Sequence, residues 1–116
     1  MITEDYVSFE TAKLLKEKGF DVRLDSFYNS DGRACYSSLY NWNQTTGEYP
    51  DYSRPTLWLA MKWLREVHHI TIGITFSLDI ITYEIQKDEE FITAIDSSRS
   101  YEDMVEEAIK YCLNLI

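Results

Sequence analysis

At 116 residues, 45% hydrophobic and 27% charged, the chain has the size and composition of an ordinary soluble globular domain, with room for a core that needs no metal or disulfide staple. Its net charge of −9 disfavours direct contact with nucleic acid or an anionic membrane, and no apolar run approaches the roughly 20 residues of a spanning helix. We read residues 1–116 as a single globular domain. The opening "MITEDYVSFE" has acids where a signal peptide needs bases and an apolar stretch, which points to a cytoplasmic protein.

A first helix is expected from about Phe9 to Lys18, with Ser8 as N-cap and Gly19 followed by Phe20 as its stop. "DVRLDSFY" reads as a strand, "NSDGR" as its turn and "ACYSSLYNW" as the returning strand. "NQTTGEYPDYSR" follows as a surface loop. Its Asn43-Gln44-Thr45 sequon carries little weight without secretion. Pro55 opens a second helix that ends near His68 or His69. From Ile70 the period becomes two: Ile70, Ile72, Ile74, Phe76 and Leu78 alternate with polar or small residues, and Ile81, Tyr83 and Ile85 repeat the pattern. "KDEE" is a turn, Phe91 to Ile95 a shorter strand, and Ser100 the cap of a third helix. That helix's expected core stripe is Tyr101, Met104, Val105, Ala108, Tyr111, Cys112, Leu115 and Ile116. The fold class is α+β, with three helices on a mainly antiparallel sheet of about five strands, in the order α-β-β-α-β-β-β-α.

Helix 2 carries the residues that most invite a functional reading, "PTLWLAMKWLREVHHI". On a helical wheel Leu57, Ala60, Met61, Leu64 and Val67 form one apolar stripe, widened by Leu59 and Trp63. Trp63 is thus a core residue. Trp58 falls on the other side with Lys62, Arg65 and His69. It is either an exposed recognition feature or is covered by the Tyr49–Tyr52 loop, and a loop arriving directly before the helix favours cover. A helix offers a metal its ligands at i and i+3 or i+4, whereas adjacent His68 and His69 diverge by about 100°. No metal or other cofactor is expected. The two histidines read instead as facing the carbonyls at the helix end.

Other chemistry is absent from the pattern. The four glycines are isolated, so no phosphate loop exists, and there is neither a G-x-S-x-G elbow nor a Cys-x-x-Cys. Clustered carboxylates in "KDEE" sit on a turn, where solvent keeps them ordinary. Cys35 and Cys112 read as reduced, structural thiols, with Cys112 on the apolar side of helix 3. No catalytic residue is assigned.

From helix 2 onward the order helix, three strands, helix resembles that of double-stranded RNA-binding domains, which lay a lysine-rich helix start across the RNA groove. Here that segment is "SYEDMVEEAIKY", with Glu102, Asp103, Glu106 and Glu107, and residues 70–116 hold three Lys/Arg against ten Asp/Glu, a net of −7. Three further phrases, "EDYVSFETAKLLKEKGFD", "PTLWLAMKWLREVHHI" and "SYEDMVEEAIKYCLNLI", resemble a group of small proteins of gut bacteria, often encoded in phage-like or mobile-element regions. That resemblance covers nearly the whole chain outside segment 28–52. It implies a compact α+β domain and no particular activity, cofactor or catalytic residue. The expectation is a non-enzymatic, acidic protein-interaction or accessory domain with a protein partner and no nucleic acid or membrane. Its candidate surface is Trp42, Tyr49, Tyr52, Trp58, Lys62 and Arg65. The alternative is a small-molecule or peptide binder using the aromatic segment 28–58.

Overall fold

A computed structural model describes residues 4–97 and 99–116; the first three residues, part of the stretch read against a signal peptide, lie outside them. The chain forms two compact units, Met1–Thr56 and Leu57–Ile116. Both are α+β, and among the described residues they hold three α-helices and two antiparallel three-stranded sheets.

In the first unit, helix α1 spans Phe9–Glu17. Its start is set by Ser8, whose Oγ accepts the Thr11 N–H at 3.2 Å. Its end is a Schellman motif: Phe20 N–H donates to the Leu15 carbonyl at 2.9 Å and Gly19 N–H to that of Lys16 at 3.2 Å. Gly19 takes the left-handed conformation this requires, φ +91°. The accompanying apolar pair, Leu15 and Phe20, is buried, so the expected boundary holds for the expected reason.

Strands β1 (Leu24–Tyr28) and β2 (Ala34–Tyr40) form the expected hairpin. Asn29 builds its turn, with Oδ1 accepting the N–H groups of Asp31 and Arg33, both at 3.0 Å. Two expectations fail after it. Trp42 leaves the strand and starts a short 3-10 turn, Trp42–Gln44. The supposed surface loop then contains a further strand, β3 (Tyr52–Ser53), which pairs with β1 to give the order β2-β1-β3. The single sheet of about five strands is therefore replaced by two sheets of three. A two-residue strand has no period to read; it is specified from outside itself. Asn43 supplies part of that specification, accepting Ser53 N–H and donating to the Phe20 carbonyl, each at 2.8 Å.

In the second unit, α2 (Leu57–His68) and α3 (Tyr101–Leu113) touch each other and pack on a meander of β4 (Ile70–Ser77), β5 (Ile80–Lys87) and β6 (Glu90–Ser97). Strand order is β4-β5-β6. Register places Ile72 against Ile85 and Ile74 against Tyr83, one helix-facing row, while Thr71, Gly73, Thr75, Glu84 and Gln86 face solvent. Period-two alternation is thus a half-buried sheet from Ile70 to Ile74, as expected, but Phe76 is exposed and Leu78, past the end of β4, stands in solvent at positive φ. β6 runs longer than the Phe91–Ile95 segment expected. Ser100 caps α3 by accepting Asp103 N–H at 3.2 Å.

The helix stripes need small corrections. In α3 the buried set is Met104, Val105, Ala108, Ile109, Cys112 and Leu113; Tyr101 and Ile116 are exposed. Ile109 and Leu113, outside the expected stripe, are buried at i+4 and i+8 from Val105, so the buried side widens and turns slowly round the helix, by about 40° per step. In α2, Leu57, Ala60, Trp63 and Leu64 are buried, but Val67 is 54% exposed.

Candidate functional site

The six residues of the expected interaction surface separate into two sets. Trp42 and Tyr52, in the first unit, are tied into their own scaffold. Trp42 stacks on Phe27 with ring centroids 4.0 Å apart, and its Nε1 donates to the Leu24 carbonyl at 2.8 Å. Tyr52 sits edge-on to Phe9 at 5.5 Å, and the Lys16 ammonium lies 4.8 Å from its ring. Lys16 in turn donates to the carbonyls of Thr45 and Asp51 at 2.7 and 2.9 Å. Burial pulls its pKa down, and the Asp51 charge partly offsets this. These aromatics hold the 42–52 segment in place. Of the segment's aromatic residues Tyr49, 74% exposed, is the one presented outward.

Trp58, Lys62 and Arg65 fall at i, i+4 and i+7 on one side of α2. Trp58 is 59% exposed, and Tyr52, from the loop expected to cover it, is committed within its own unit to β3 and Phe9. The Lys62 ammonium sits 5.4 Å from the Trp58 ring, close enough for a cation–π contact that steadies the indole. Arg65 is exposed and opens onto a cleft of about 500 Å³ at the end of the helix, shared with His69, Thr71, Gln86, Asp88 and Glu89. Asp88 and Glu89 form the β5–β6 turn, both at positive φ. The cleft therefore sets Arg65 and His69 beside two carboxylates, a mixed-charge lip about two helical turns from the exposed Trp58.

The histidines part company as their adjacency required, but not toward the helix carbonyls. His68 lies edge-on to Trp63, centroids 4.7 Å apart, and its Nε2 is buried without a hydrogen-bond partner. Burial, then the charges of Lys87 and His69, hold its pKa below the usual 6.5. His69 takes φ +56° and ends the helix, its carbonyl accepting Asp88 N–H at 3.0 Å. Among the described residues no group of three or more His, Cys, Asp or Glu is placed to hold a metal ion. Cys112 is buried, and burial pushes its thiol up to about 12.

One cluster had no signal in the sequence. The Arg54 guanidinium lies 3.8 Å from the Tyr6 ring centre and within reach of Tyr28 and Tyr36 at 5.4 and 5.7 Å. Its Nη1 donates to Ser26 Oγ at 3.1 Å and Tyr36 Oη at 2.9 Å. Burial works against the charge, but the hydrogen bonds and charge interactions with Tyr28 and Tyr36 together outweigh it and the pKa is raised. The five participants are scattered over residues 6 to 54, and the pairing of β1 with β2 and β3, and of Tyr6 with Thr56, gathers them.

No protein family, curated protein or solved structure matches the chain. Among the described residues no helix is long and apolar enough to cross a membrane.

Proposed function

We propose that this protein is a non-enzymatic, acidic interaction domain whose recognition element is the outer side of α2, with Trp58 as the anchor and Lys62 and Arg65 as its polar companions. The observation that carries this reading is the 59% exposure of Trp58 beside the Lys62 ammonium. A large aromatic left in water, flanked by cations, gains by entering a partner's surface, and Trp and Arg are the residues that most often anchor interfaces. The partner is a protein, met in the cytoplasm without nucleic acid or membrane. An accessory role in a mobile element is part of the proposal and rests on the three sequence phrases quoted above. The test is affinity capture from host lysate with the tagged chain and with a Trp58→Ala/Arg65→Glu variant of unchanged melting temperature. A partner held by the first and lost by the second supports the reading; a partner held equally by both removes α2 from it.

A second reading has its own observation. Tyr40, Asp21, Arg23, Asn41 and Gln44 line a cleft of about 380 Å³ in the first unit, which suits a small polar ligand or peptide stacking on Tyr40. A Tyr40→Ala variant that loses a ligand while keeping the captured protein would favour it.

A further inference from the structure

We propose that β4 is a pairing edge for a second copy of this chain, joining two three-stranded sheets into one of six strands through an antiparallel β4–β4 contact. β4 lies at the edge of its sheet, and among the described residues it pairs only with β5. An edge strand presents unpaired N–H and C=O groups, and folded chains ordinarily blunt such an edge with charges, proline or a bulge. β4, "ITIGITFS", has none of these: no charged residue, no proline, and eight consecutive partners on β5 without a register shift. The opposite edge, β6, shows two of them. It carries Glu90 and Asp96, and its register with β5 breaks between Ile85 and Gln86. In the other sheet β2 is uncharged too, but its register with β1 is broken between Leu24 and Ser26. β4 is the one regular, unprotected edge among these three.

Charge selects the occupant. Residues 70–116 carry a net of −7, which opposes contact between copies over most of this region, and β4 is its one strand without a charged residue, where two copies meet with least repulsion. A basic partner would gain nothing there and would be drawn instead to Glu102, Asp103, Glu106 and Glu107. The strand also suits itself. Ile70 is fully buried, which leaves Thr71–Ser77 as the accessible segment, and Phe76 within it is 63% exposed. A two-fold axis at Ile74, the centre of that segment, keeps the helices of both copies on one side of the joined sheet. It sets Ile74 opposite Ile74, Ile72 opposite Phe76, Gly73 opposite Thr75 and Thr71 opposite Ser77. Each is an apolar pair on the helix side or a small polar pair on the open side, the kind that stabilises antiparallel strands.

Sedimentation equilibrium over a concentration series tests this. The wild-type mass should rise from 13.7 kDa toward twice that value. A Thr71→Lys/Thr75→Lys/Ser77→Lys variant changes only solvent-facing side chains and should weaken the dimer by about tenfold or more. Should the triple variant not fold, Thr75→Lys alone gives the same readout in the same direction. Thr71→Lys/Ser77→Glu sets each lysine against the other copy's glutamate and should keep the dimer. A wild type that stays monomeric at the highest concentration overturns the proposal, as does a dimer that the lysines leave unchanged.

Discussion

Gly32 shows how a single position joins turn chemistry to packing. It occupies φ +82° in the β1–β2 turn, and a Cβ there would stand 3.0 Å from Phe9 Cδ2. Gly19 shares the left-handed backbone, at φ +91°, but a Cβ there would meet nothing within 4 Å. Alanine at either site costs about 1–2 kcal/mol for the backbone alone. Urea titration should find Gly32→Ala the more destabilising, because Phe9 must also give way. Equal losses at the two sites would show that Phe9 moves aside freely.

His68 makes a residue-scale prediction about pH. Its folded pKa lies below 6.5, lowered by burial against Trp63 and then by Lys87 and His69. As pH falls through 6.5 the unfolded chain takes up this proton first, so the folded state binds fewer protons and loses stability. Above 6.5 both states hold a neutral ring and the effect vanishes. Stability measured in urea at pH 7.5 and pH 5 should therefore fall less for His68→Gln than for wild type. Identical falls would mean that His68 is protonated as easily in the folded chain.

At the scale of the element, α2 divides into a side that packs and a side that does not. Trp63 is 5% exposed among buried Leu57, Ala60 and Leu64, while Trp58 stands in solvent. Trp63→Ala should cost about 3–5 kcal/mol, and Trp58→Ala should stay within about 0.5 kcal/mol. Matched chemical-denaturation curves decide this, and a Trp58 loss as large as that of Trp63 would remove it as a free recognition residue. Much of this was legible beforehand. The wheel separates Trp63 from Trp58, Ser8 and Ser100 mark where helices begin, and alternation from Ile70 gives β4 and β5 with their inner rows. What could not be read depends on partners distant in sequence. β3 exists because Asn43 and β1 hold it, and Trp42 turns inward because Phe27 and the Leu24 carbonyl receive it. The candidate surface was half legible for the same reason: Trp58, Lys62 and Arg65 share a helix face, whereas Trp42 and Tyr52 were aromatic residues whose partners the pattern did not name.

At the scale of the whole molecule, charge decides between topology and use. The second unit has the order helix, three strands, helix, and a duplex-binding reading would lay the start of α3 on phosphates. That start presents Glu102 and Asp103, with Glu106 and Glu107 a turn further on. Arg99 is engaged at 2.9 Å with Glu107, and α2 offers only Lys62, Arg65 and the histidines at its end. Affinity for a duplex comes chiefly from counterions released when Lys and Arg neutralise phosphates. A unit holding five Lys/Arg against eleven Asp/Glu would gather cations of its own instead. We therefore expect no binding to an RNA duplex of about 20 base pairs, a length that covers the roughly 16 base pairs such domains span. A fluorescence-anisotropy titration at low salt is the most permissive condition, since screening is weakest there. Micromolar binding that weakens steeply with added salt would mean that the topology carries the function after all. Reversing the acids, with Glu102→Lys/Asp103→Lys/Glu106→Lys, separates the two causes. Duplex binding that appears only in that variant would show that charge alone, and not the shape of the unit, withholds it.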